Sequence, residues 1–266
     1  MTDQLPLKDR VALVVGASRG IGYESAIALA KAGAHVIATA RTEGGLEELD
    51  DAIFAATGQH ATLIPFDLVD GGAIDRMGGA LFERFGKLDI WVHTAATMGP
   101  EGLVPVSHAD PRQFAKIEKV NFTAVYRLIR SLEPLLRASD AGRAVYLTSS
   151  LAWEPRAFWG AYAATKAAGQ NLVQCWADEI ESTNIRVAVL DPGRMQTRLR
   201  AQAYPGEDPS ALPHPVRDRA ADCGPVPPRP RTARRHHLVP RMEGRPAGVG
   251  AGLGQFEKDV QPPRGL

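Results

Sequence analysis

Six short apolar runs, each but the last followed by residues with helical spacing, narrow the fold of this 266-residue chain more than any other feature. The runs are Val11 to Val15, His35 to Ala40, Ala61 to Phe66, Leu88 to His93, Ala144 to Thr148 and Ile185 to Leu190. They are short and bounded by glycine or turn residues, as buried strands are. Between them, helical spacing runs from Ile21 to Lys31, on to about Gly58, more weakly to Phe85, from Pro111 to Arg137 and from Trp159 to Ser182. Gly33 follows the first of these as an expected C-terminal cap. Strand–helix alternation with right-handed crossovers predicts an α/β, doubly wound parallel sheet in three layers. One domain is expected over residues 1–213.

Composition excludes several function classes. The chain is 44% hydrophobic and 23% charged with a net charge of +1, an ordinary globular balance that gives no case for nucleic acid or a membrane surface as partner. Cys175 and Cys223 stand far apart, so neither a disulfide framework nor a metal site is read. Met1 to Asp9 has no apolar targeting core, and a reducing cytoplasm is the expected location.

The first run ends in Gly16-Ala-Ser-Arg-Gly20-Ile-Gly22, with Ser18, Arg19 and Ile21 between the glycines. Bare backbone at a strand-to-helix turn lets a pyrophosphate approach the N–H groups and positive end of the helix. Taken alone, a glycine-rich turn without a ligand is an open alternative. Tyr162 and Lys166 lie four residues apart, on one helix face, where a cation favours phenolate and tunes a tyrosine for acid/base work. That spacing is common by chance. Thr148-Ser149-Ser150, at a strand end twelve residues before Tyr162, gives it context, because open parallel sheets present ligands at strand C-termini.

These motifs in order, with Asn121 in Val-Asn-Phe and the Pro192-Gly193-x-x-x-Thr197 stretch, resemble the classical short-chain dehydrogenase/reductase family over about residues 8–213. The resemblance implies a Rossmann-like fold and an NAD(P)(H)-dependent oxidoreductase of carbonyl reductase or alcohol dehydrogenase type, acting on a small carbonyl or alcohol. Tyr162 would donate the proton in reduction and accept it in oxidation, with Lys166 holding the nicotinamide ribose and lowering the tyrosine pKa. Ser150, rather than Ser149, would hydrogen-bond the substrate oxygen, and Asn121 would anchor a relay water. Asp67 and Leu68 would meet the adenine, Ala95 the passing cofactor, and Pro192, Gly193 and Thr197 the nicotinamide end. A family-type homo-oligomer is possible. Trp159-Gly-Ala-Tyr-Ala-Ala-Thr-Lys166, Ser139-Asp-Ala-Gly142 and Tyr204-Pro-Gly-Glu-Asp-Pro209 resemble a YciK-like bacterial subgroup.

Two departures stand out. The family's Asn-Asn-Ala-Gly is His93-Thr94-Ala95-Ala96 here, so His93 is either an extra acid/base group or, as expected, a structural strand-end histidine. The acidic residue that usually ends the second strand is Ala40, followed by Arg41, and Arg19 lies inside the glycine loop. Two guanidiniums without a carboxylate favour a ribose 2′-phosphate, hence NADP(H), with NAD(H) possible; two solvated surface arginines are the alternative.

After Pro213 the periodicity stops. Residues 214–266 hold ten Lys and Arg against five Asp and Glu, nine prolines and no isoleucine. One reading is an irregular Pro/Arg-rich tail. Another is a shifted reading frame: one codon choice from His214, read a base later, gives Thr-Pro-Ser-Glu-Ile-Ala-Pro-Leu-Ile-Val-Asp-Leu-Cys, a capped amphipathic helix. On either reading the sheet is expected to lack its last strand. A nucleotide-binding protein without turnover is therefore the competing function, and an Arg-rich nucleic-acid arm a weaker one.

Overall fold

The structure, a computed structural model, describes residues 5–215, so all but the first two residues of the 214–266 segment lie outside it. Six parallel strands form one sheet: β1 (Val11–Val15), β2 (His35–Ala40), β3 (Thr62–Pro65), β4 (Ile90–His93), β5 (Arg143–Leu147) and β6 (Arg186–Leu190), in the order β3-β2-β1-β4-β5-β6. Among the described residues seven α-helices accompany them: α1 (Gly20–Lys31), α2 (Glu43–Thr57), α3 (Gly71–Phe85), α4 (Pro111–Glu118), α5 (Ala124–Ala138), α6 (Gly160–Glu179) and α7 (Arg198–Ala203). The doubly wound parallel sheet expected from the alternation is what forms. A seventh strand, whose loss was expected, would fall outside the described residues. None of the described helices is long and apolar enough to cross a membrane.

The two faces of β1 divide the core, because side chains alternate across a strand. Leu13 and Val15 pack with α3, α5 and α6 through Ile74, Leu128, Leu132 and Trp176. Val14 packs with α1 and α2 through Ala26, Leu46 and Leu49. β1 pairs with β2 on one side and β4 on the other, so the strand order reverses here and a crevice opens above Val15, which is in register with both Thr39 and His93.

The uninterrupted helix read over Pro111 to Arg137 is broken. A π-helical turn, Lys119–Thr123, separates α4 from α5, and the Ala124 N–H reaches back five residues to the Lys119 carbonyl. Asn121 sits in that turn. Gly58 and Gly86 close α2 and α3 with positive φ, and Asp70 and Asp110 cap α3 and α4 through side-chain carboxylates.

Candidate active site

The cleft above the strand C-termini encloses about 1330 Å³, and the glycine loop is its floor. Gly16 has φ +92°, and a Cβ there would lie 2.7 Å from Thr94 Oγ1 and 2.8 Å from the Ala95 nitrogen. A Cβ at Gly22 would run into the Gly16 carbonyl oxygen. Thr94, which the sequence reading left without a role, donates from its hydroxyl to the Val15 carbonyl at 3.0 Å and the Gly16 carbonyl at 3.3 Å. It ties the loop after β4 to the glycine turn.

Ser18, Arg19, Gly20 and Ile21 line the cleft where α1 begins. Arg41 and Asp67, at the ends of β2 and β3, face each other at 4.0 Å, and Leu68 lies beside them. Burial and then the neighbouring Arg198 and Arg41 weaken the hold of Arg19 on its proton, so three guanidiniums crowd one region. Arg198, at the start of α7, is the member the motif reading missed. Such crowding is relieved by an anion. Ala95 continues the lining, followed by Pro192, Gly193 and Thr197. Thr197 also caps α7 by accepting from the Arg200 N–H, and its methyl approaches Gly20 across the cleft. A bare turn, clustered cations and a long cleft above the switch point together suit an extended dinucleotide.

Tyr162 and Lys166 stand on the first turns of α6 and are both buried. Of the two serines after β5, Ser149 hydrogen-bonds the Tyr162 hydroxyl. Ser149 is still extended (φ −155°, ψ 148°), whereas Ser150 already opens a 3₁₀ turn to Ala152. Both serines line the cleft, Ser150 being the one expected to hold the substrate oxygen.

Burial, then Asp191, push Tyr162 up to about 12, and the Ser149 hydrogen bond is what opposes them. Burial brings Lys166 down to about 7, with Asp191 pulling the other way. On balance Tyr162 is raised, with Ser149 pulling the other way. The Lys166 ammonium donates to the Leu147 carbonyl at the end of β5.

Asn121 is buried beside the cleft and outside its lining. Its side chain accepts from the Thr97 N–H at 2.8 Å and donates to the Thr97 carbonyl at 2.8 Å and Thr165 Oγ1 at 3.0 Å. It thereby ties the loop after β4 to the π turn and α6. His93 is also off the cleft: burial, followed by Lys166, pushes it down to about 3, so it is neutral, and the Ala95 backbone is what pulls the other way. Opposite the glycine loop, Met98, Trp159 and Tyr162 form an apolar wall with Leu151, Leu199 and Tyr204. Sequence periodicity gave no sign of this wall, because its members come from four separate segments.

The family model for short chain dehydrogenases matches residues 10–208, and the chain belongs to that family. It is 36% identical to YciK of Escherichia coli K12, described as an uncharacterised oxidoreductase, over 79% of this chain and 83% of that one. Among solved structures it resembles a short chain dehydrogenase of Shigella flexneri 2a complexed with NADP (TM-score 0.76, 36% identity, 80% of this chain and 89% of that one). One of Escherichia coli CFT073 complexed with NADPH matches with the same TM-score, identity and coverage. The chain is an oxidoreductase of the YciK-like kind.

Proposed function

We propose that the protein is an NADP(H)-dependent carbonyl reductase or alcohol dehydrogenase acting on a small substrate with an apolar flank. The observation that carries this reading is the Tyr162 hydroxyl, hydrogen-bonded to Ser149 and sharing a helix face with buried Lys166 at the cleft. Ser149 holds the substrate oxygen and Tyr162 gives it a proton in reduction or takes one in oxidation. Lys166 steadies the tyrosine. A nicotinamide dinucleotide, when bound, supplies or accepts the hydride. Gly16, Ser18, Gly20, Ile21 and Gly22 would hold its diphosphate, Asp67 and Leu68 its adenine, and Ala95, Pro192, Gly193 and Thr197 its nicotinamide half. Arg19 and Arg41, with Ala40 where a carboxylate would bind a ribose hydroxyl, support a 2′-phosphate; the NADP and NADPH complexes of the similar structures support the same choice. The Asn121 side chain is fully engaged, so its backbone carbonyl, which lies against Gly169, is left to take part in proton relay.

One experiment addresses both claims. Tyr162→Phe removes only a hydroxyl, so fluorescence titration should still find NADPH bound more tightly than NADH. Turnover over a panel of aryl and alkyl ketones should fall by about 10² to 10⁴-fold. Full activity in the Phe variant would reject the proton donor, and equal affinities would reject the cofactor preference.

A further inference from the structure

Beneath the acid/base helix lies an aromatic stack that the reaction scheme above leaves unused. Tyr146 on β5 is buried, and Lys166 Nζ lies 4.4 Å from the centroid of its ring. His93, the register partner of Tyr146 on β4, stacks on that ring at 5.7 Å and 9°. Trp91 meets His93 edge-on at 6.0 Å. Among the described residues the Tyr146 hydroxyl has no hydrogen-bond partner, and it lies where a Cβ on Gly169 would strike it. What Lys166 meets is the face of the ring.

An ammonium over an aromatic face is held by the negative face of the ring, and the attraction is strongest where water is excluded. The titratable groups facing Lys166 are Tyr162 from its own helix, Asp191 beyond β6, His93 from β4 and Tyr146 from β5. His93 is neutral and adds no repulsion. Burial brings Lys166 down to titrate near neutral pH even with Asp191 pulling it up, and there a modest contact decides how much of it is charged.

We propose that Tyr146 is a positioning residue of the acid/base pair: its ring face keeps Lys166 a charged ammonium beside Tyr162, and the stacked His93 holds the ring in place. This rests on the roles given to Tyr162 and Lys166 above, but its test does not need turnover.

The full chain, labelled with ¹³C at lysine Cε, is titrated by NMR, with the Lys166 signal assigned from its loss in Lys166→Met. Tyr146→Phe keeps the ring and removes only the hydroxyl, and Lys166 should titrate as in the parent. Tyr146→pentafluorophenylalanine keeps the shape and reverses the field of the ring. There Lys166 should titrate about one unit lower, a roughly tenfold loss of proton affinity. Tyr146→Leu should do the same; if it fails to fold, the fluorinated and Phe variants decide between them. A packing role would leave those two alike, and that result overturns the proposal. Failure of the Tyr162→Phe test would instead remove the catalytic reading and leave the Lys166 titration standing.

Discussion

Ser149 and Ser150 differ by one step along the chain, and that step decides which hydroxyl meets Tyr162. At an extended residue the side chain points to one side, and at the next to the other. Spacing to Tyr162 alone does not tell which serine is the last extended one, because the 3₁₀ turn that begins at Ser150 has no signature in Ser-Leu-Ala. Arg198 and Thr94 were illegible for a similar reason: each acts on a glycine loop far away in sequence. Gly16, Gly22, Arg19 and Arg41 were legible, because a strand-to-helix turn fixes where they sit. Two serine variants test the revised reading. Ser149→Ala removes a group expected to hold the reacting oxygen, so turnover should drop by about 10²-fold. Ser150→Ala should cost far less. The Ser149 hydrogen bond lowers the Tyr162 pKa, so its loss should also move the alkaline-rising limb of the oxidation rate to higher pH. A larger loss in Ser150→Ala than in Ser149→Ala would return the role to Ser150.

Among the elements, the strands were legible to within a residue or two, because a buried parallel strand is a continuous apolar run. The π turn was not. Inserting one residue into a helix rotates the apolar stripe by a fraction of a turn, and over Pro111 to Arg137 that is lost in ordinary irregularity. Yet the turn sets the place of Asn121, whose side chain ties three elements at distances of 2.8 to 3.0 Å. Removing it leaves the Thr97 N–H and carbonyl without their partners. Asn121→Ala should therefore cost about 1–2 kcal/mol in urea unfolding, since Thr97 is only half-buried and cleft water can partly replace the lost partners. Turnover should fall more than NADPH affinity, because Thr97 and α6 shift against each other while the glycine loop keeps its own hydrogen bonds. Unchanged unfolding would mean that the Thr97 groups find other partners.

For the molecule as a whole, the alternation of runs predicts the class of sheet but not which strands lie side by side. The reversal beside β1 that opens the cleft is set by packing across distant segments. The same holds for the charge that fastens the other end of the sheet. Asp89, just before β4, is 1% exposed and accepts from Val11 N–H at 2.9 Å and Ser139 Oγ at 2.6 Å. Arg10 at 2.9 Å and Lys87 at 3.1 Å complete its surroundings, so one carboxylate joins β1, β4 and the segment between α5 and β5. Burial, the largest influence, pushes this carboxyl up, but Ser139, Val11, Arg10 and Lys87 together outweigh it and hold it below the ordinary aspartate range. A depressed folded-state pKa gives stability that is fully present above the unfolded value, near 3.9, and is lost as pH falls through the folded one. Asp89→Asn keeps the shape and removes the charge, and should cost about 2–4 kcal/mol at pH 7. The gap between parent and variant should hold constant down to about pH 5, narrow below about pH 4 and close once the parent carboxylate is protonated. Urea melts of both proteins from pH 7 to pH 3 measure it. A gap that stays the same width throughout would show that the substituted amide fails by shape, and that the charge of Asp89 contributes nothing to holding β1 to β4.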